Sequence, residues 1–295
     1  MTTVMTTAMT TATMTDPTHT TPAELEHAAN GHFSRLSGAL ELQAAILALL
    51  LPPGSRRVAR AWEIETASVA GAEAVLALAS HLPGAARLPW FETLVSRMRG
   101  QPLEARQNLL KATRRLMGAR GTVRPIDRLH WLAMRQRLGG STGAGVRTAA
   151  SADLSCLPQS DVAAIAMYSA FLSRIVPVDP ATLPEAVAPM SAPAPGADWY
   201  ETVMAPWRIN AAIPPCQPPD TDGLVHALQE LQALPWMQRP VLARGWVTAA
   251  LQHSRHGRLG NDAADALRLS CALLDSPLPP ELARHYGVVN QEIPR

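Results

Sequence analysis

From Ala23 almost to the end of the chain, apolar residues return every three or four positions, the spacing that lines one face of an α-helix. No stretch alternates apolar and polar residues between turn signals, as a half-buried strand would. The predicted fold class is all-α. Residues 23–51, AELEHAANGHFSRLSGALELQAAILALLL, predict one long helix or a broken pair. SRRVARAWEIETASV, GAEAVLALASHL and GAARLPWFETLVSRM follow, each closed by glycine or proline. In QPLEARQNLLKATRRLMG, Pro102 falls where a first-turn proline belongs. There Leu103, Leu109, Leu110, Thr113, Leu116 and Met117 share one face, while Lys111, Arg114 and Arg115 take the other. PIDRLHWLAMRQRL predicts the next helix. A later series runs through QSDVAAIAMYSAFLSRIV, DWYETVM, DTDGLVHALQELQAL, PVLARGWVTAALQHS, NDAADALRLSCALLD and PPELARHY.

The punctuation divides these helices into two lobes. Residues 1–22 form a threonine-rich leader without an apolar core, expected to be disordered. Residues 23–139 form the first lobe. Residues 140–156, rich in Gly, Ser and Ala, read as a flexible linker. Residues 157–295 form the second lobe, with a proline-rich insertion at about 177–219.

A chain of 295 residues, 47% hydrophobic and 17% charged, can bury one large core or two modest ones. Its net charge of +2 conceals an asymmetry. Between Arg97 and Arg147 stand twelve basic residues and two acidic ones, Glu104 and Asp127. That segment carries +10 and leaves the remainder about −8. The best apolar run, residues 39–51, is too short to span a bilayer, contains Glu41 and Gln43, and ends at Pro52-Pro53. The expected location is cytoplasmic, with peripheral membrane association left open. Cys156, Cys216 and Cys271 have no short spacing and read as small apolar residues, neither a disulfide framework nor a zinc site.

Three motifs invite a chemical reading. His253 and His256 stand three apart at a helix end, half of a tetrahedral metal site, with Asp262 the only near third ligand. The alternative is that they cap the last carbonyls of their helix, and this is the expected role. GGSTG, with Ser141 at its centre, matches the outline of a nucleophile elbow, but an arginine-rich helix precedes it where a strand is required. No glycine precedes the single lysine, so there is no phosphate loop. No catalytic residue, metal or cofactor is expected. The basic segment makes the positive case. At about 100° per residue, Arg124, Arg128 and Arg135 fall within about 40° of one another, with Trp131 alongside. Guanidinium groups beside an indole suit acidic or planar partners. The candidate binding surface is Lys111, Arg114, Arg115, Arg124, Arg128, Trp131 and Arg135. The competing reading is a solvated face with Trp131 half-buried under arginine stems.

Two stretches echo each other, LMGARGTVRPIDRLHWLAM and LQHSRHGRLGNDAADALRL. Gly121 and Val123 of the first match Gly257 and Leu259 of the second, a glycine turn and then an apolar plug between two amphipathic helices. These turns resemble the ADGR-I/V-T/S-x-x-E turn of TerB-like helical domains. Over about residues 40–282 the chain is similar to the helical C-terminal region of HtpX-like membrane zinc metallopeptidases, in LQAAILALLLPPGSRRVARAWEI, LPWFETLVSRMRGQPLEARQNLLKATRRLMGARG and GRLGNDAADALRLSCALLDSPLPPEL. The turn aspartate of the family is Arg120 in one copy and His256 in the other, and the trailing acid is Asp127 in one and Ala263 in the other. No histidine is followed by glutamate, so the zinc-peptidase motif is absent. The resemblance implies a pair of TerB-like bundles and a non-catalytic adaptor or regulator whose protein partner is a membrane peptidase or membrane-stress complex. The runner-up is a nucleic-acid or anionic-membrane binder acting through the segment 97–147.

Overall fold

A computed structural model describes residues 22–52, 54–139, 152–176, 196–254 and 257–286. The leader up to residue 21, most of the predicted linker, including Ser141, and the proline-rich stretch 177–195 lie outside the described residues. Among the described residues there are thirteen α-helices and no strand, as the periodicity predicts.

Residues 23–51 form a broken pair, α1 (Pro22–Arg35) and α2 (Ala39–Leu49). The break falls at Gly38, whose N–H donates to the Glu41 carboxylate at 3.3 Å and so starts α2. α3 (Arg56–Thr66), α4 (Ala72–His81) and α5 (Gly84–Arg99) follow, then α6 (Leu103–Ala119) and α7 (Pro125–Leu138). Pro102 caps α6 from outside its first turn, and Leu103, predicted on the apolar face, is 55% exposed. Leu109, Thr113 and Leu116 are buried as that face requires. The second series is α8 (Gln159–Leu172), α9 (Ala197–Met204), α10 (Thr221–Ala233), α11 (Gln238–His253), α12 (Asn261–Leu273) and the short α13 (Pro280–Ala283), which ends in a 3-10 turn at Arg284–Tyr286.

The core is one continuous cluster of buried side chains drawn from both series. Trp62, Trp90, Trp199 and Trp246 are among its largest fully buried side chains. Each buried indole N–H finds an acceptor: Ala44 O at 3.1 Å, Asn30 Oδ1 at 2.7 Å, Trp246 O at 3.3 Å and Ser169 Oγ at 3.0 Å, respectively. The two series meet where α7 packs on α12 and where the Tyr286 turn packs on α5. Arg268 of α12 pairs with Glu92 of α5 at 2.8 Å. Gln136 of α7 and Gln232 of α10 both donate to the carbonyl of Leu273, at 3.3 and 2.8 Å.

Arginine closes several helix ends from within the fold. Arg97 reaches the carbonyls of Phe33 and Ser34 in the last turn of α1 and of Leu36 just beyond it, at 2.8, 3.0 and 3.3 Å. Arg87 donates to Ala79 O at 2.8 Å and Leu49 O at 2.8 Å, joining the ends of α4 and α2. Arg239 donates to the carbonyls of Gln232, Leu234 and Leu274 around the ends of α10 and α12. A guanidinium suits these places because the last carbonyls of a helix lack intrahelical donors and carry partial negative charge.

Candidate functional site: a cationic face on the α6–α7 hairpin

The hairpin that carries the basic segment turns at Gly121, whose φ of +89° is open to glycine and costly for any other residue. Its counterpart between α11 and α12, Gly257, has a φ of +65°. Both members of the sequence echo are thus left-handed turns. The apolar plug is present only in the second: Leu259 is packed against the core, whereas Val123 is 41% exposed.

The acid of the first turn is an internal anchor. Asp127, with 8% of its side chain exposed, sits at the third position of α7 and accepts the Arg124 backbone N–H at 3.1 Å. The same carboxylate pairs with Arg120 at 3.0 Å and with the Arg124 guanidinium at 3.0 Å. At this turn the chain therefore sets the Arg120 guanidinium against the Asp127 carboxylate. His256, at the matching place in the second turn, lies outside the described residues.

Following each basic side chain to its partner divides the predicted surface. Arg97 closes α1, Arg106 donates to Leu138 O at 3.3 Å, and Arg137 lies 3.7 Å from Glu92. Arg115 is bound in a two-point pair to Glu65 of α3, at 2.5 and 2.7 Å. Arg124 is engaged by Asp127 and lies 3.8 Å from Asp262. Lys111, Arg128 and Arg135, with Arg99, make no ion pair among the described residues. Arg114 stacks on Trp131, its guanidinium carbon 4.5 Å from the ring centroid. That stack joins two strips. Lys111 lies one turn before Arg114 on α6, and Arg128 and Arg135 lie one turn to either side of Trp131 on α7. The structure thus brings together Lys111, Arg114, Arg128, Trp131 and Arg135. It turns Arg115 and Arg124 to structural contacts.

His253 does not serve the carbonyls of its own helix; its Nε2 meets Thr202 Oγ1 of α9 at 2.7 Å. Asp262 is 62% exposed beside Arg124. Among the described residues no three His, Cys, Asp or Glu side chains are grouped closely enough to hold a metal ion. The cysteines are free thiols, Cys271 buried, Cys216 half-buried and Cys156 exposed, so only the first fits the apolar reading fully. Among the described residues no helix is long and apolar enough to cross a membrane.

Sequence reasoning missed a part-buried polar cluster between the two series. Asp265 of α12 accepts the Tyr286 hydroxyl at 2.8 Å, and Arg268 lies over the Tyr286 ring at 4.4 Å while holding Glu92. Burial raises the Asp265 carboxyl to about 7, against the lowering effect of the Tyr286 hydrogen bond. Asp262 and Glu92 add to the rise, and Arg268 opposes it. His130 of α7 has its Nδ1 3.0 Å from Ile126 O and its ring edge-on to Phe91. Burial lowers the His130 imidazole to about 4. One signal was legible: an acid and an arginine in NDAADALRL at helical spacing on the apolar side of α12.

Fold and face together define a class, an all-helical protein presenting a basic hairpin surface pinned by an arginine–tryptophan stack. No protein family, curated protein or solved structure matches the chain.

Proposed function

We propose that the protein is a non-catalytic helical adaptor that docks an acidic protein partner on the α6–α7 face. The observation that carries this reading is the group of cations without an ion pair among the described residues, Lys111, Arg128 and Arg135, held around the Arg114–Trp131 stack. The stack favours a protein over a single-stranded nucleic acid. A base needs an open aromatic face, and Arg114 already covers one face of Trp131. The finer architecture we propose is a pair of TerB-like units, supported by the left-handed glycines at Gly121 and Gly257. On the family resemblance, the partner belongs to a membrane peptidase complex at its cytoplasmic side.

The test replaces Lys111, Arg128 and Arg135 together by glutamine, which preserves helix propensity. Arg124 is left intact, because it anchors the turn through Asp127. Association with a glutamate- and aspartate-rich helical peptide should slow about tenfold, with a smaller change in dissociation, as surface charges act mainly on encounter. Tight oligothymidylate or phosphatidylglycerol binding, with a salt slope that flattens by up to about three units in the variant, would replace this reading with a nucleic-acid or lipid surface. Unchanged binding of every probe would remove the face from the functional account.

A further inference from the structure

Away from the basic hairpin, the ends of α2 and α4 and the start of α3 border a half-open cavity of about 630 Å³. Its walls are mostly aliphatic, with Leu51, Pro52, Ala59, Leu76 and Leu82 among them, and among the described residues no aromatic side chain lines it. Two cations, Arg56 and Arg87, lie on its surface, and among the described residues no carboxylate does. Arg87 is fixed by its bonds to Ala79 O and Leu49 O through its terminal nitrogens, which leaves its Nε–H without a partner among the described residues. Small-molecule sites are concavities of roughly 300–1,000 Å³, mostly apolar with a few placed polar groups. Aliphatic walls favour a saturated chain over a flat ring, which would find nothing to stack on. Two cations without an acid favour an anionic head.

We propose that this cavity binds a free aliphatic carboxylate of the fatty-acid class, its chain along Leu51, Leu76 and Leu82 and its head towards Arg56 and Arg87. The site is separate from the α6–α7 face, and neither depends on the other. The probe is decanoate below its micellar range, titrated into the full chain by calorimetry, with decanol as the uncharged control. One saturable decanoate per chain is expected, with decanol at least about fivefold weaker. Arg56 is exposed, so Arg56→Gln should leave folding intact and weaken decanoate by about fivefold, the upper range for an exposed charge contact. Ala59→Phe sets a ring into the cavity wall and should weaken decanoate binding while leaving the far-UV dichroism helical; if that variant fails to fold, Arg56→Gln and the decanol comparison decide alone. Equal binding of decanol and decanoate, decanoate binding unchanged in the folded variants, or vesicle binding without saturable decanoate would each overturn the proposal.

Discussion

Asp265 and His130 are shifted by the same cause in opposite directions, because burial disfavours whichever form is charged. Asp265 titrates near 7 in the folded chain and near 3.9 unfolded. Between those values the folded state holds more protons, so this group's contribution to stability is full at low pH and is lost as pH rises towards 7. His130 titrates near 4 folded and near 6.5 unfolded, so its contribution is full above about 6.5 and is lost as pH falls towards 4. The two slopes oppose each other between about 4 and 6.5. Asparagine mimics the protonated acid and can still accept the Tyr286 hydroxyl. The Asp265→Asn variant should therefore gain on the parent chain by about 2 kcal/mol between pH 5 and pH 8, read as a widening difference in melting temperature. A difference independent of pH would refute the assignment. At the first turn, Asp127→Asn should cost about 2 kcal/mol, since it leaves Arg120 and Arg124 without their shared partner. Arg135→Gln should stay within about 0.5 kcal/mol, as an exposed site with no ion pair among the described residues does. Urea unfolding measures both. Sequence alone marked Asp127 as the surviving acid of a turn, whereas Asp265 showed only its helical spacing to Arg268, because one aspartate on a helix face carries no label of what covers it.

At the scale of elements, periodicity and glycine–proline punctuation sufficed to place every described helix, including α9 within the proline-rich stretch. They failed at the direction of long side chains. The +10 of residues 97–147 suggested a broad cationic surface, but Arg97 turns back across 64 residues to Phe33 O, and Arg115 and Arg124 close on Glu65 and Asp127. A guanidinium on a flexible stem can serve a helix end or face solvent from the same position, and only the packed neighbours decide. The hairpin itself offers a paired test. Gly118 is helical with open space around it, so Gly118→Ala should stabilise by up to about 1 kcal/mol. Gly121, three residues on, also has open space, but its φ is +89°, so Gly121→Ala should destabilise by about 1–2 kcal/mol through the backbone alone. Effects of the same sign at both positions would contradict the left-handed turn.

At the scale of the molecule, the glycine- and serine-rich stretch after α7 suggested two lobes, and the core shows how closely the two helical series are joined. α7 lies on α12, Glu92 holds Arg268, and Gln136 and Gln232 share the Leu273 carbonyl. Composition cannot reveal such a contact, because apolar residues that face a second unit look like those that face their own core. The consequence is mechanical. A protease site placed within residues 140–151 should be cut without separating the products, since the buried surface that joins them lies elsewhere. The cleaved halves should elute together on gel filtration at the volume of the intact chain and unfold in a single transition. The fragment 22–139 alone should show helical dichroism but a broad, weakly cooperative melt, because α7 would lose α12 as a neighbour and Glu92 would lose Arg268. Two resolved transitions after cleavage, or a fragment as stable as the parent, would show instead that each series folds as an independent lobe.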